Sequence, residues 1–150
     1  MDNTPKLTHQ QIFSRAVLGV VRQGRLSRDE SHICLYRLGD GARIACGVGH
    51  NIADEYYDSR CEGEAASTDL MESISRADGD SDRSFLLAMS LCASGVDATD
   101  KRTLQLLDEI QKAHDQAPNV ANFIEHARDV ANRRGLKFPA ISGISAQRGY

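Results

Sequence analysis

The sequence contains no tryptophan, and aromatic residues account for only 5% of its 150 residues. Its four cysteines, at positions 34, 46, 61 and 92, are too far apart for the dense disulfide framework of a small secreted module. No apolar run approaches the length of a membrane span, and the first ten residues lack the apolar stretch of a signal peptide. We therefore expect a cytoplasmic protein with reduced cysteines, no membrane partner, and a core built mainly from aliphatic side chains.

The chain also lacks the short motifs of several large enzyme classes. It has no G-x-S-x-G, no P-loop, no H-E-x-x-H, and no G-x-G-x-x-G between a strand and a helix. What it does have is an ordinary globular composition, with 41% apolar and 26% charged residues. This length and composition predict a single globular domain at 1–135, followed by an aperiodic C-terminal tail at 136–150.

The segment 32–48 has the alternating pattern of a β-hairpin. Two short runs flank Gly39-Asp40-Gly41, a sequence that suits a three-residue turn because the second glycine tolerates a positive φ. This register places Cys34 opposite Cys46 and Tyr36 opposite Ile44. A lone hairpin is marginally stable in water, so we expect it to pack on helices. The predicted fold class is α+β, mainly helical with four to five helices and one hairpin at about 32–48.

Apolar residues at three-to-four spacing predict the helices. The first spans about 8–23, with a capping box from Thr8 and Gln11 and a stop at Gly24. A segment at 81–94 is apolar nearly all round, which predicts the central buried helix. The next helix starts at Thr99 or Asp100 and ends before 118, and the last spans 119–134. Shorter helical segments are predicted within 53–58 and from about 67 to 74.

Negative charge is concentrated in one part of the chain. Residues 53–82 contain ten acidic residues and two arginines, whereas both ends of the chain are basic. Such separation favours an oriented partner of complementary charge, although a solvated acidic loop has the same composition. The acids that directly follow the hairpin are the predicted partner-binding residues: Asp54, Glu55, Asp58, Glu62 and Glu64.

Three groups of residues have partial metal-site patterns. Cys34 and Cys46, with His32 and His50, lack the C-x₂₋₄-C spacing of zinc sites. Residues 78–82 begin like a calcium loop, but the required glycine and glutamate are replaced by arginine and methionine. A two-helix site would combine His114, Asp115, His126 and Asp129, which are more typical of the solvated sides of amphipathic helices. We therefore predict no catalytic residue, no metal and no cofactor, while leaving this last group open.

One stretch resembles a family of small proteins encoded by tailed phages and prophages, which share a Y-R…G…C-A-x-G…I-x-D-x-x-Y…E-G pattern. The matching residues here are Tyr36-Arg37, Gly41, Ala45-Cys46-Gly47-Val48-Gly49, Ile52, Asp54-Glu55, Tyr57 and Glu62-Gly63. The resemblance covers residues 32–64 well and 104–136 loosely, and this chain has Ala-Cys where Cys-Ala is more usual. It implies a phage or prophage context and no catalytic residues.

In that context we expect a small interaction protein acting in the host cytoplasm. It would bind, and thereby inhibit, a host protein or complex such as a CRISPR-type or other nuclease of bacterial defence. Two alternatives remain open: a metal-dependent hydrolase, and a nucleic-acid-binding accessory protein that uses a local patch of Arg37, Arg43, Arg133 and Arg134. Direct nucleic-acid binding is not expected from a pI of about 5.9, and a homodimer is left open.

Overall fold

The computed structural model describes residues 6–29, 35–38, 44–64, 66, 70 and 83–141. Four long α-helices lie within these ranges: α1 at His9–Gln23, α2 at Arg83–Ala93, α3 at Lys101–Asp115 and α4 at Val120–Arg134. Three short 3₁₀ turns, at Gly49–Asn51, Asp54–Tyr56 and Ser59–Cys61, occupy the connection that follows α1. No helix in the described ranges has the length and apolar character needed to cross a membrane.

Local capping signals in the sequence set four of the helix boundaries, as predicted. Thr8 accepts the N–H of Gln11 while the Gln11 side chain accepts the N–H of Thr8, which completes the capping box of α1. Asp100 caps α3 and Asn119 caps α4 in the same way, each accepting an N–H three residues on. At the other end, Gly24 closes α1 with a φ of 74°, in the left-handed region that glycine adopts without strain.

Helix α1 is the centre of the fold among the described elements. It packs against α3, α4 and the 49–51 turn, and its apolar stripe is fully buried: Ile12, Phe13, Ala16, Val17, Val20 and Val21. The prediction that 81–94 forms the central helix is wrong, because α2 packs mainly against the 54–56 and 59–61 turns. Its residues are apolar on most sides, yet only one stripe is buried and Met89 is 48% exposed.

The predicted β-hairpin is also wrong: the described parts of 32–48 contain no β-strand, only one isolated antiparallel bridge between Arg37 and Ala45. The N–H of Leu38 bonds the carbonyl of Ile44, so the register differs from the predicted pairing of Tyr36 with Ile44. Cys34, predicted to face Cys46, and the Gly39-Asp40-Gly41 turn lie outside the described residues.

Side chains from distant parts of the chain satisfy several backbone groups next to this bridge. The backbone N–H groups of Tyr36 and Arg37 both donate to the carboxylate of Glu62. On the other segment, the Gln23 side chain bonds both the N–H and the carbonyl of Ala45. These backbone groups are therefore not available to a further strand, and sequence alternation alone could not reveal the distant side chains that satisfy them.

Residues 136–141, which the sequence assigns to the tail, pack against α1 and α4. The Phe138 ring meets Phe13 edge to face with centroids 6.1 Å apart, and Arg128 lies over the Phe138 ring. The side chain of Gln10 also bonds both backbone groups of Lys137. This segment therefore contributes to the core, while 142–150 lies outside the described residues.

Candidate functional site

Arg37 organises the segment that holds most of the predicted partner-binding acids. Its guanidinium donates to the Asp54 carboxylate and to the carbonyl of Ile52, both at 2.5 Å. Its charged end also lies 5.3 Å from the centre of the Tyr57 ring, a cation–π distance. These contacts fix the 52–57 chain against the 35–38 segment, and they explain the role of the Tyr36-Arg37 pair in the fold.

Glu62 holds the same segment from the other side. Its two carboxylate oxygens accept the N–H groups of Tyr36 and Arg37 at 2.9 and 3.0 Å, and the Tyr57 hydroxyl donates to it at 2.6 Å. Burial of the Tyr57 hydroxyl, together with its bond to Glu62, raises the pKa of that phenol. A carboxylate with three donors is committed to the fold, so Glu62 has little capacity left for a partner.

The other predicted acids divide into two groups. Asp54 and Glu55 are exposed, although Asp54 also pairs with Arg37. Asp58 caps the 59–61 turn and pairs with the Arg60 guanidinium, whose hydrogen bond lowers the pKa of that carboxyl. Glu64 is half-buried and accepts the Ser84 hydroxyl at 3.0 Å. The structure thus leaves Asp54 and Glu55 as the accessible members of the predicted set.

Between these two accessible acids and Tyr57 lies an exposed aromatic side chain. Tyr56 is 46% exposed, one of two large apolar residues with this degree of exposure among the described residues. We call Asp54–Tyr56 the acidic turn. It is anchored at its start by a bond from the N–H of Ala53 to the Ser94 hydroxyl, and the turn packs against α2.

A cleft of about 730 Å³ opens beside the acidic turn, lined by residues that include Arg22, Gln23, Arg37, His50 and Asp54. We call it the His50 cleft. The Gln23 amide is oriented by Ala45, because its oxygen must accept the Ala45 N–H and its nitrogen must donate to the Ala45 carbonyl. The amide oxygen is also 2.8 Å from Nε2 of His50, so Nε2 carries the proton and Nδ1 has the free lone pair.

His50 is neutral at physiological pH. Burial of the ring, reinforced by the positive charge of Arg37, lowers its pKa to about 4. The ring packs directly over Gly19 of α1, where a Cβ atom would lie 2.3 Å from the imidazole carbon Cγ. Only glycine at this position lets the imidazole reach Gln23, which the sequence does not indicate because the contact joins residues far apart in the chain.

The thiols next to this region are poor nucleophiles. Cys46 is buried and accepts the N–H of Gly49 at 3.3 Å, and burial raises its pKa to about 12. Burial likewise raises the pKa of Cys61 to about 12. Thiolates, not thiols, attack electrophiles and bind metals, so neither residue is suited to nucleophilic catalysis at neutral pH.

His114 is a structural residue. It is fully buried, its Nε2 accepts the N–H of Ser27 at 3.0 Å, and its Nδ1 lies 3.2 Å from the Asp115 carboxylate. Because a backbone N–H always donates, Nε2 holds the lone pair and Nδ1 holds the proton. The expectation that His114 lies on a solvated helix face is therefore wrong, and both of its nitrogens are occupied.

The four residues of the predicted two-helix metal group do not come together. His126 and Asp129 line a separate groove of about 200 Å³ between α3 and α4, whereas His114 faces Ser27 and Phe123 in the interior. Across the part of the chain that the structure describes, no three His, Cys, Asp or Glu side chains are placed to hold a metal ion. The geometry gives no support to a metal-dependent hydrolase.

The arginines of the predicted nucleic-acid patch are largely paired with acids. Arg37 binds Asp54, while Arg133 and Arg134 both bind Glu109, with the latter contact at 2.5 Å. Hydrogen bonds from these two arginines lower the pKa of Glu109. Arg43 lies outside the described residues. The three described arginines share two acids, so these groups keep only one net positive charge with which to attract a phosphate backbone.

Sequence reasoning predicted partner binding at the acidic turn but missed Tyr56, Gln23 and the His50 cleft. A single tyrosine among acids has no periodic signal, and the cleft is assembled from α1 and from residues at 37, 45, 50 and 52–54. The comparisons add no relative that bears on either site: protein-family models, curated proteins and solved structures all lack a match to this chain.

Proposed function

We propose that the protein functions by binding a macromolecular partner through the acidic turn. The observation that supports this most directly is the exposed Tyr56 ring, which directly follows two exposed acids, Asp54 and Glu55. Tyrosine is among the residues most enriched at energetically dominant positions of protein interfaces, because it combines a large apolar area with a hydroxyl. A partner that covers this turn buries the ring and meets both carboxylates.

The turn is also held in one conformation before any partner binds. Arg37 fixes Asp54 and the carbonyl of Ile52, Ser94 fixes the N–H of Ala53, and α2 packs against the turn. A preformed surface loses less conformational entropy on association than a mobile loop does. The network around Arg37 and Glu62 therefore serves binding indirectly, by presenting the acidic turn.

The negative charge of the acidic turn favours a partner with a positively charged surface. Two carboxylates at an exposed aromatic residue favour a basic surface, and the attraction between exposed charges weakens as salt concentration rises. Nucleases are basic where they grip phosphate. Taken with the resemblance to phage and prophage proteins, this leads us to propose a bacterial nuclease of host defence as the partner, bound in the host cytoplasm and inhibited by occupation of its basic groove.

The experiment compares capture by the intact protein with capture by a variant that combines Tyr56→Ala with Glu55→Lys. Immobilised protein is incubated with bacterial lysate, and bound proteins are quantified by mass spectrometry. We expect one basic host protein to be retained by the intact protein and lost from the variant, because the variant removes the ring and reverses one charge. Glu62 is left unchanged, since replacing it would disturb the fold as well as the surface.

Two controls make this result specific. Glu125→Lys makes the same charge change at an exposed position on α4, and Tyr56→Phe retains the ring without its hydroxyl. Both controls should retain the partner, and the circular dichroism spectra of all variants should match. If the Tyr56→Ala, Glu55→Lys variant captures the same partner at full affinity, the acidic turn is not the binding surface and the proposal fails.

A further inference from the structure

We propose that the His50 cleft binds a phosphate group that carries a hydroxyl, either as inorganic phosphate or as a small-molecule phosphate monoester. The Arg22 guanidinium would bind the charged oxygens, and the Nδ1 lone pair of His50 would accept the phosphate hydroxyl. The cleft shares Asp54 with the acidic turn, whereas Arg22 and His50 lie outside that turn and Glu55 and Tyr56 do not line the cleft.

The size of the cleft and its available polar groups support a small ligand. Its volume of about 730 Å³ lies within the roughly 300–1,000 Å³ typical of small-molecule sites. Arg22 lies on its wall with an exposed side chain that has no hydrogen bond or ion pair with any other described residue. A guanidinium presents parallel donors that match two phosphate oxygens, so this arginine is available for bidentate binding.

His50 supplies the complementary acceptor. Its Nε2–H donates to the Gln23 amide oxygen, which leaves the lone pair of the ring on Nδ1. Because a pKa of about 4 keeps the ring neutral, Nδ1 retains its lone pair and can accept a hydrogen bond from a hydroxyl of the ligand. The combination of a cationic donor and a neutral acceptor fits a ligand that has both a negative oxygen and a hydroxyl.

Two further charged groups on the wall narrow the ligand class. Arg37 contributes positive charge but already binds Asp54 and the carbonyl of Ile52, and its buried Nε has no partner among the described residues. The Asp54 carboxylate repels a fully ionised anion. A sulfate ion has no hydroxyl to offer His50, so the site should discriminate between two anions of the same shape.

The test is isothermal titration calorimetry of the full chain at about pH 6, near the second pKa of a phosphate monoester. Inorganic phosphate, glycerol phosphate and sulfate are titrated separately at equal ionic strength. We expect at least one of the two phosphates to bind, and sulfate to bind roughly tenfold more weakly or not at all. The phosphate that binds more tightly identifies whether the ligand is inorganic phosphate or a phosphate monoester.

Arg22→Gln should weaken phosphate binding by roughly tenfold or more, because the cationic donor is lost. Arg102→Gln, which removes an exposed arginine from α3 outside the cleft, should leave it unchanged. Neither substitution touches a buried contact, so both variants should fold. The proposal is overturned if neither phosphate binds, if sulfate binds as tightly, or if Arg22→Gln binds phosphate as the intact protein does.

Discussion

Glu62 joins the 35–38 segment to the 57–62 segment through its side chain, without a strand pairing. Sequence alternation predicted that the N–H groups of Tyr36 and Arg37 would face either solvent or a neighbouring strand. Instead both groups donate to one carboxylate, which also receives the Tyr57 hydroxyl. Hydrogen bonds to a charged acceptor are stronger than neutral ones, so a single side chain can hold two segments together without a sheet.

Replacing Glu62 by alanine should therefore lower the free energy of unfolding by about 2–4 kcal/mol, because up to three donors lose their acceptor in a half-buried setting. Glu55→Ala, at an exposed acid with no such bonds in the described structure, should change it by less than about 0.5 kcal/mol. Urea unfolding followed by circular dichroism measures both values. Equal losses in the free energy of unfolding would contradict the view that the Glu62 hydrogen bonds stabilise the fold.

At the scale of elements, α2 shows that an apolar composition does not fix how deeply a helix is buried. The apolar character of 81–94 on nearly all sides predicted a central helix, whereas the structure buries one stripe of α2 and leaves Met89 exposed. The central helix is α1. Its sequence is more polar, but its continuous apolar stripe contacts α3 and α4. The arrangement of neighbouring elements, not the share of apolar residues in a helix, decides which helix is enclosed.

Shortening the buried side chains of α2 should still lower the stability of the fold substantially. Leu87→Ala or Leu91→Ala should each cost roughly 2–5 kcal/mol, because both side chains are fully buried and each truncation leaves a cavity. Met89→Ala on the exposed side of the same helix is the matched control, expected to cost less than about 0.5 kcal/mol. Chemical denaturation of the three variants would contradict this assignment if the two leucine variants were as stable as the Met89 variant.

At the scale of the whole molecule, the free energy of unfolding depends on pH through His50, because the fold keeps this ring neutral at pH values where an unfolded chain protonates it. Its pKa is about 4 in the folded protein and about 6.5 in an unfolded chain, so the unfolded state binds more protons between these values. Stability contributed by neutral His50 is therefore complete above about pH 6.5 and is lost as pH falls towards 4. The carboxylates of Asp97 and Asp100 have a lowered pKa in the folded protein, so they change the free energy of unfolding only at lower pH.

Between pH 7 and about pH 5, His50 should account for a loss of about 2 kcal/mol in the free energy of unfolding. The His50→Gln variant should lose less stability over this interval, whatever its stability at pH 7. His126→Gln, at a half-buried position in the α3–α4 groove, should follow the intact protein. Urea unfolding of the three proteins at both pH values tests this, and parallel losses in all three would contradict a buried neutral His50.

Partner binding at the acidic turn stays a prediction, and the sequence indicated its segment without showing which of the acids are accessible. Sequence charge directed attention to the segment after residue 53, and Asp54 and Glu55 are indeed exposed there. It could not separate them from Glu62, because an acid that accepts distant backbone donors looks the same in sequence as one that meets solvent. The His50 cleft was not predictable either, since Gly19, Gln23 and His50 meet only when α1 packs on the 45–51 chain.

The sequence by itself determined the α-helices that the structure describes and several of their ends. Thr8, Gly24, Asn119 and Gly135 act on backbone groups within a few residues, so their effects were readable from local spacing. Only the tertiary structure decided that α1 is central, that 32–48 contains no strand in its described part, and that His114 is buried. Those outcomes depend on contacts between residues far apart in the chain, such as Glu62 with Tyr36 and Ser27 with His114. Local periodicity carries no information about such contacts.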